Sequence, residues 1–280
     1  MSSNGFDARQ GDLVFLKLGG SLITDKTRPE TVAADVLQRL AQEVVQARAE
    51  APDLHLLVGH GSGSFGHMAA SRHGTRHGVQ GAAGWQGFAE VADAAARLNR
   101  LVVAAFLAAG VPVWSVQPSA GGWCEDGHVA RWQVELFQMA LAREVVPLTY
   151  GDAMLDVRRG GTIASTEELF VWLAERLRPQ RIVLAGTVDG VYSADPLQHP
   201  DAMHWPLITP QDLPALRASL GGSHGVDVTG GMLSKVTEMC RLAAQQPGLE
   251  VRLVSGLRPG AVAAAVLGRP EAGGTVIRAS

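Results

Sequence analysis

The sequence predicts an α/β protein with a mostly parallel central sheet, on three observations. Short apolar runs that suit buried strands alternate with longer segments of helical period. The first three of these stand in β-α-β order. Successive strands then run into glycine-rich turns, and in an open α/β sheet such turns gather at the carboxyl ends of the strands, where these folds hold their ligands. With 280 residues, 46% of them hydrophobic, the chain can build one large domain or two small lobes around a substantial core.

Composition narrows the partners. A net charge of −3 without any basic run argues against nucleic acid. Cys124 and Cys240, the two cysteines, have no metal-ligand spacing and support neither a zinc site nor a disulfide scaffold. Residues 1–11 read as a loose polar tail, no stretch reads as a membrane span, and the expected location is the cytoplasm.

Taken in order, Leu13 to Leu18 (LVFLKL) is the first strand, and it leads into Gly19-Gly20-Ser21 with Lys26 shortly after. This is the pattern of an anion site. Glycines let backbone N–H groups close on a phosphate, Ser21 adds a hydroxyl, and Lys17 and Lys26 add charge. Lys17 stands inside an apolar strand, where an unpaired ammonium is costly, so it needs a partner. Val32 to Ala49 has the spacing of an amphipathic helix, and His55 to Val58 is the second strand. A second glycine turn follows, Gly59 to His67 (GHGSGSFGH).

Gly61, Gly63 and Gly66 formally match a dinucleotide-binding GxGxxG. The next strand, Val111 to Val116, lies beyond a long helix and offers no acidic residue for a ribose, which argues against that reading. The helix itself, Gly84 to Ala109, is apolar nearly all round and could line a pocket with Phe88, Ala92 or Leu98. Residues 117–131 read as a turn-rich hairpin or lid, Gln133 to Ala142 as a helix, and Val145 to Thr149 as a core strand ending at Gly151-Asp152. Ala153 to Ala164 contains a hairpin, and Ser165 with Glu168 forms a capping box for a helix reaching Leu177. Ile182 to Ala185 is a strand closed by the turn Gly186 to Tyr192, and a loop begins at Ala194-Asp195-Pro196. Gly221 to Lys235 is the last long glycine-rich segment and runs into a helix carrying Lys235. Glu250 to Val254 and Gly274 to Ile277 complete the sheet.

The chain contains three lysines, Lys17, Lys26 and Lys235, each in or beside a glycine segment. Lysines and backbone N–H groups converging on polyanions suit phosphoryl transfer, which is mainly positioning and charge neutralisation. The P-loop pattern GxxxxGK[ST] is absent. A GxSxG occurs around Ser223, but no core strand precedes it as a serine elbow requires.

KLGGS at 17–21, GD at 151–152, TVDGVY at 187–192 and DVTGGMLSK at 227–235 together resemble the amino acid kinase superfamily over almost the whole chain. ITDK after the first glycine turn, GSFGH ending at His67, and ARLNRLVV before PVWSVQPS resemble its isopentenyl phosphate kinase branch. The resemblance implies a single three-layer αβα domain over 1–280, with 1–180 mainly acceptor-binding and 181–280 mainly nucleotide-binding. It further implies a homodimer and ATP-dependent phosphorylation of an isoprenoid monophosphate. By the same resemblance Lys17, Gly19, Gly20, Ser21 and Lys235 hold the ATP phosphates, with Gly63, Gly231, Thr187 and Gly190 near the nucleotide. Lys26 stabilises the transition state, and Ser62, Gly63, His67 and Thr166 hold the acceptor phosphate. Asp152 is the carboxylate expected to orient the lysines. Mg2+ is expected to accompany the triphosphate, with no protein residue assigned as a metal ligand.

Three positions depart from the family pattern: Ser62 where glycine is usual, Glu167 where Asp is common, and Thr187 where many relatives carry Asp. The alternatives within the fold are a kinase for a phosphonate such as fosfomycin, or for an amino-acid carboxylate. Outside catalysis, the alternative is an ATP-binding sensor. A carboxylate acceptor would want a nearby Arg or Asn, whereas His67 beside an apolar helix suits a lipid-like tail.

Overall fold

The computed structural model describes residues 11–25, 27–66, 74–196, 198–220 and 231–279. In chain order these form β1 (Leu13–Leu18), α1 (Gly20–Ile23), α2 (Ala34–Glu50), β2 (His55–His60), a helical turn α3 at 63–66, and the long α4 (Gly81–Ala108). Next come β3 (Val113–Ser115), β4 (Trp123–Glu125), β5 (His128–Arg131), α5 (Val134–Leu141), β6 (Val146–Tyr150), β7 (Asp152–Asp156), β8 (Gly160–Ala164) and α6 (Thr166–Leu177). The later part holds β9 (Arg181–Gly186), β10 (Val191–Tyr192), β11 (His204–Trp205), β12 (Leu207–Ile208), α7 (Leu213–Leu220) and α8 (Gly231–Gln245). It closes with β13 (Glu250–Ser255), α9 (Ala261–Val266) and β14 (Thr275–Ile277).

The main sheet has eight strands in the order β12-β14-β13-β9-β1-β2-β6-β3, all pairs parallel except β13 with β14. β1 lies near its middle, and all six of its residues are buried. Period-2 alternation sends Val14, Leu16 and Leu18 to the core shared with α2, α4 and α9, while Leu13 and Phe15 enter the core beneath α5, α6 and α8. The result is the expected three-layer αβα arrangement. Lys17 follows the odd-numbered set and so faces α6 and α8.

A second sheet, β5-β4-β7-β8, stands apart from the main one. Both hairpins expected from the turn residues are present in it, with Asp126 and Gly127 at positive φ between β4 and β5. The buried Asp156 carboxylate accepts from four backbone N–H groups around these turns, of Asp126, Gly127, Arg158 and Arg159. α9 was not legible in the sequence. Its first N–H groups, of Val262 and Ala263, donate to the buried Glu43 carboxylate of α2, which Arg39 pairs. Among the described residues no helix is long and apolar enough to cross a membrane.

Candidate active site

At the carboxyl ends of β1, β2 and β9 the two glycine turns meet. Gly20 has no room for a Cβ because the Gly63 backbone occupies that space, and Gly63, at φ +49°, is closed in by Gly20 O and the Thr24 hydroxyl. Contact is therefore backbone against backbone. Thr24 links the turns: its hydroxyl donates to Gly20 O at 2.7 Å and accepts from Ser64 N at 3.0 Å. Gly19 N donates to Ala185 O and Gly61 N to Leu18 O, fixing each turn to the sheet. Among the described residues, the N–H groups of Gly20, Ser21, Ser62 and Gly63 donate to no acceptor. Together they form a double cradle of backbone donors of the kind that suits anions.

The floor of the cradle carries charge. Lys17 lies in register between Gly59 of β2 and Leu184 of β9. Gly59 matters because a Cβ there would stand 2.6 Å from the Phe170 ring and 2.7 Å from Thr166 Cγ2, so its absence lets the start of α6 sit directly on the sheet. That start is fixed by the predicted capping box, Ser165 N to Glu168 Oε2 at 2.6 Å and Glu168 N to Ser165 Oγ at 3.2 Å. Glu167 is thereby brought to Lys17, with Nζ to Oε1 at 2.8 Å, and α8 brings Lys235 Nζ to the same oxygen at 3.6 Å. Burial alone would raise the Glu167 carboxyl, yet the Lys17 and Lys235 ammoniums beside it pull it down to about 2. The required partner of Lys17 is thus Glu167, held between both lysines.

Asp152, expected to orient the lysines, is not the carboxylate beside Lys17 and Lys235. Its carboxylate accepts from Ser119 N at 3.2 Å and Ala153 N at 2.9 Å, and among the described residues neither lysine pairs with it. Burial pushes it up to about 6 against those hydrogen bonds, which fasten it to the connection after β3. Asp152 begins β7, in the second sheet.

The cleft has a volume of about 850 Å³ and brings together Lys17, Gly19, Gly20, Ser21, Ser62, Gly63, Thr166, Thr187, Gly190 and Lys235. Gly231 begins α8 but does not line it. Lys26, His67 and the 221–230 segment with Ser223 lie outside the described residues. The Thr166 hydroxyl donates to His60 O at 2.6 Å, which ties α6 to the end of β2.

No α4 residue is among those lining the cleft, and Leu98 packs in the core against the sheet. The apolar wall comes instead from Ile163, Leu184, Val188, Met232 and Leu253. Sequence reasoning also missed Arg76, which lines the cleft with its guanidinium 3.7 Å from Glu168, and Glu238, one turn beyond Lys235. Burial, then Glu168 and Glu167, push the Glu238 carboxyl up to about 7. Neither residue stands in a glycine motif, which was the only signal available.

A mostly parallel α/β sheet with two adjoining turns of backbone donors and a lysine-carboxylate-lysine floor at its carboxyl edge is an arrangement that suits phosphoryl transfer. Residues 12–255 match the model of the amino acid kinase family. The chain is 35% identical over 269 residues to the isopentenyl phosphate kinase of Methanothermobacter thermautotrophicus, covering 93% of this chain and 97% of that one. It is 36% identical over 256 residues to that of Haloferax volcanii, covering 89% and 98%. A solved isopentenyl phosphate kinase structure superposes with a TM-score of 0.80 at 33% identity, covering 95% of this chain and 99% of that one. The chain belongs to the amino acid kinase family, and within it is closely related to the isopentenyl phosphate kinases.

Proposed function

We propose that the chain transfers the γ-phosphoryl group of ATP to isopentenyl phosphate, giving isopentenyl diphosphate and ADP. The observation that carries this is the pair of cradles sharing one wall at Gly20 and Gly63, one for each phosphate partner. Near full-length similarity to relatives named for this acceptor supports the choice of substrate.

In this reading Gly19, Gly20, Ser21, Lys17 and Lys235 hold the ATP phosphates, and Thr187 and Gly190 approach the nucleotide. Ser62 and Gly63 N–H groups with Thr166 hold the acceptor, joined by His67. An oxygen of the acceptor monophosphate attacks the γ-phosphorus as the bond to the β,γ-bridging oxygen breaks, and ADP leaves with that electron pair. Charge moves onto the bridging and equatorial oxygens, which Lys17, Lys26 and Lys235 neutralise. Glu167 holds Lys17 and Lys235 close together through one carboxylate oxygen. Mg2+ would accompany the triphosphate and share in neutralising its charge.

The same reading assigns residues 1–180 mainly to the acceptor and 181–280 mainly to the nucleotide, in one domain acting in the cytoplasm as a homodimer. Arg76 keeps a phosphonate or carboxylate acceptor in play, since a guanidinium does line the cleft. The test is ADP release with ATP and Mg2+, offering isopentenyl phosphate, fosfomycin and N-acetylglutamate in parallel. Turnover with isopentenyl phosphate alone, largely lost in His67→Ala, is expected. Preference for another acceptor overturns the substrate, and ATP binding without turnover favours the sensor.

A further inference from the structure

His60, the last residue of β2, is fully buried and stands at the centre of a hydrogen-bonded chain outside the phosphate contacts. Its Nδ1 is 3.1 Å from Gly61 O and its Nε2 is 3.2 Å from Asn99 Nδ2 of α4. Asn99 Oδ1 in turn accepts from Ser115 Oγ at 2.6 Å. The ring stacks on Tyr150 at 5.5 Å with planes 10° apart, which fixes its orientation.

These partners admit one proton arrangement. A carbonyl only accepts, so Nδ1 carries the hydrogen, and Nε2 is left as the acceptor for the Asn99 amide. The Ser115 hydroxyl donates to Asn99 Oδ1, so it is the Asn99 NH2 group that faces the ring. Burial, with a smaller contribution from Lys17, pushes the imidazole down to about 4 against the Gly61 bond, so the ring is neutral at physiological pH.

The consequence lies in the next peptide. The described peptide bonds are trans, and in a trans peptide the carbonyl of one residue and the N–H of the next point in opposite directions. Holding Gly61 O against the ring turns Ser62 N–H the other way, and Ser62 lines the cleft. Gly61 leaves this peptide little intrinsic resistance to rotation, and the opposite orientation would offer a carbonyl oxygen to an anion. We infer that His60 is a positioning residue for the acceptor phosphate, its Nδ1–H holding the Gly61 carbonyl away so that Ser62 N–H faces the phosphate, with Asn99 fixing the tautomer. The acceptor's identity here rests on the proposed function, while the orienting role does not.

Two replacements separate the bonds. In His60→Asn a side-chain NH2 sits near the place of Nδ1 and can still reach Gly61 O. In His60→Gln the amide lies near the place of Nε2, reaching Asn99 but not the loop. The expected result is a rise of about tenfold in the acceptor KM for His60→Gln, the order of one lost hydrogen bond, with a clearly smaller rise for His60→Asn and an ATP KM near the parent's in both. Asn99→Leu, which frees the tautomer, should follow His60→Gln, and urea unfolding of each variant separates stability from this effect.

Long-range 1H–15N spectra of the whole protein should show His60 protonated at Nδ1 and bare at Nε2. Equal acceptor KM changes in the two His60 variants, a parallel rise in ATP KM, or the reverse tautomer each overturns the inference. If the parent uses another acceptor, the proposed function fails and the same KM comparison is made with that compound. The spectra need no acceptor at all.

Discussion

At Glu167 burial and charge oppose each other, and charge wins. The carboxylate is the shared counter-ion of Lys17 and Lys235, so Glu167→Gln leaves two neighbouring ammoniums, one of them buried, without compensation. Removing one partner of a buried pair costs about 3 kcal/mol. Glu167→Gln should therefore destabilise the fold by that order at pH 7 and lower kcat/KM at least a hundredfold, whereas Asp152→Asn, which keeps an acceptor for Ser119 N, should stay within several-fold. Steady-state kinetics with urea unfolding checks both. The acid dependence has a definite sign. The folded pKa is depressed from 4.5 to about 2, so Glu167 contributes stability that is present above pH 4.5 and lost as pH falls toward 2, and Glu167→Gln should lack that slope. Lys17 was legible because a cation inside an apolar strand demands a partner. The partner was not, because a short polar run at a helix start reads first as a cap. Ser165 and Glu168 do cap α6, and the functional carboxylate stands between them.

β2 and α6 meet where β2 has no side chain. Gly59→Ala would push a methyl group into the Phe170 ring and Thr166, and overpacking of this kind costs about 2 kcal/mol. The displaced element is α6, so Glu167 moves with it. Turnover measured well below the melting temperature should fall about tenfold or more while the protein remains folded by circular dichroism, and full activity there would show that the seat of α6 on β2 does not matter. At this scale strands and hairpins were legible from apolar runs and turn residues. α9 was not, because its six residues are held by burial in the core and its first N–H groups by Glu43, more than two hundred residues away in sequence. The long α4 was identified correctly, yet its inward face packs on the sheet rather than on the cleft. Periodicity gives a buried face without saying what it is buried against.

For the molecule as a whole, the convergence of turns from β1, β2 and β9 at one edge follows from their parallel pairing, which is why the order of motifs in the chain was enough to foresee it. The surface was less legible. Leu101 and Leu107 on α4 and Trp114 on the edge strand β3 are 47%, 52% and 45% exposed, and they are the place to test the proposed homodimer. Leu107→Glu should shift sedimentation from dimer to monomer with the acceptor KM little changed, and a parent already monomeric at micromolar concentration rules the dimer out. The contact between Gly20 and Gly63 has a genetic consequence. Because each meets the other's backbone, there is no side-chain volume at either position to trade. A defect from Gly20→Ala should thus have no second-site suppressor at residue 63, and across a lineage the two turns would be inherited as an unadjustable unit while the residues around the cleft drift.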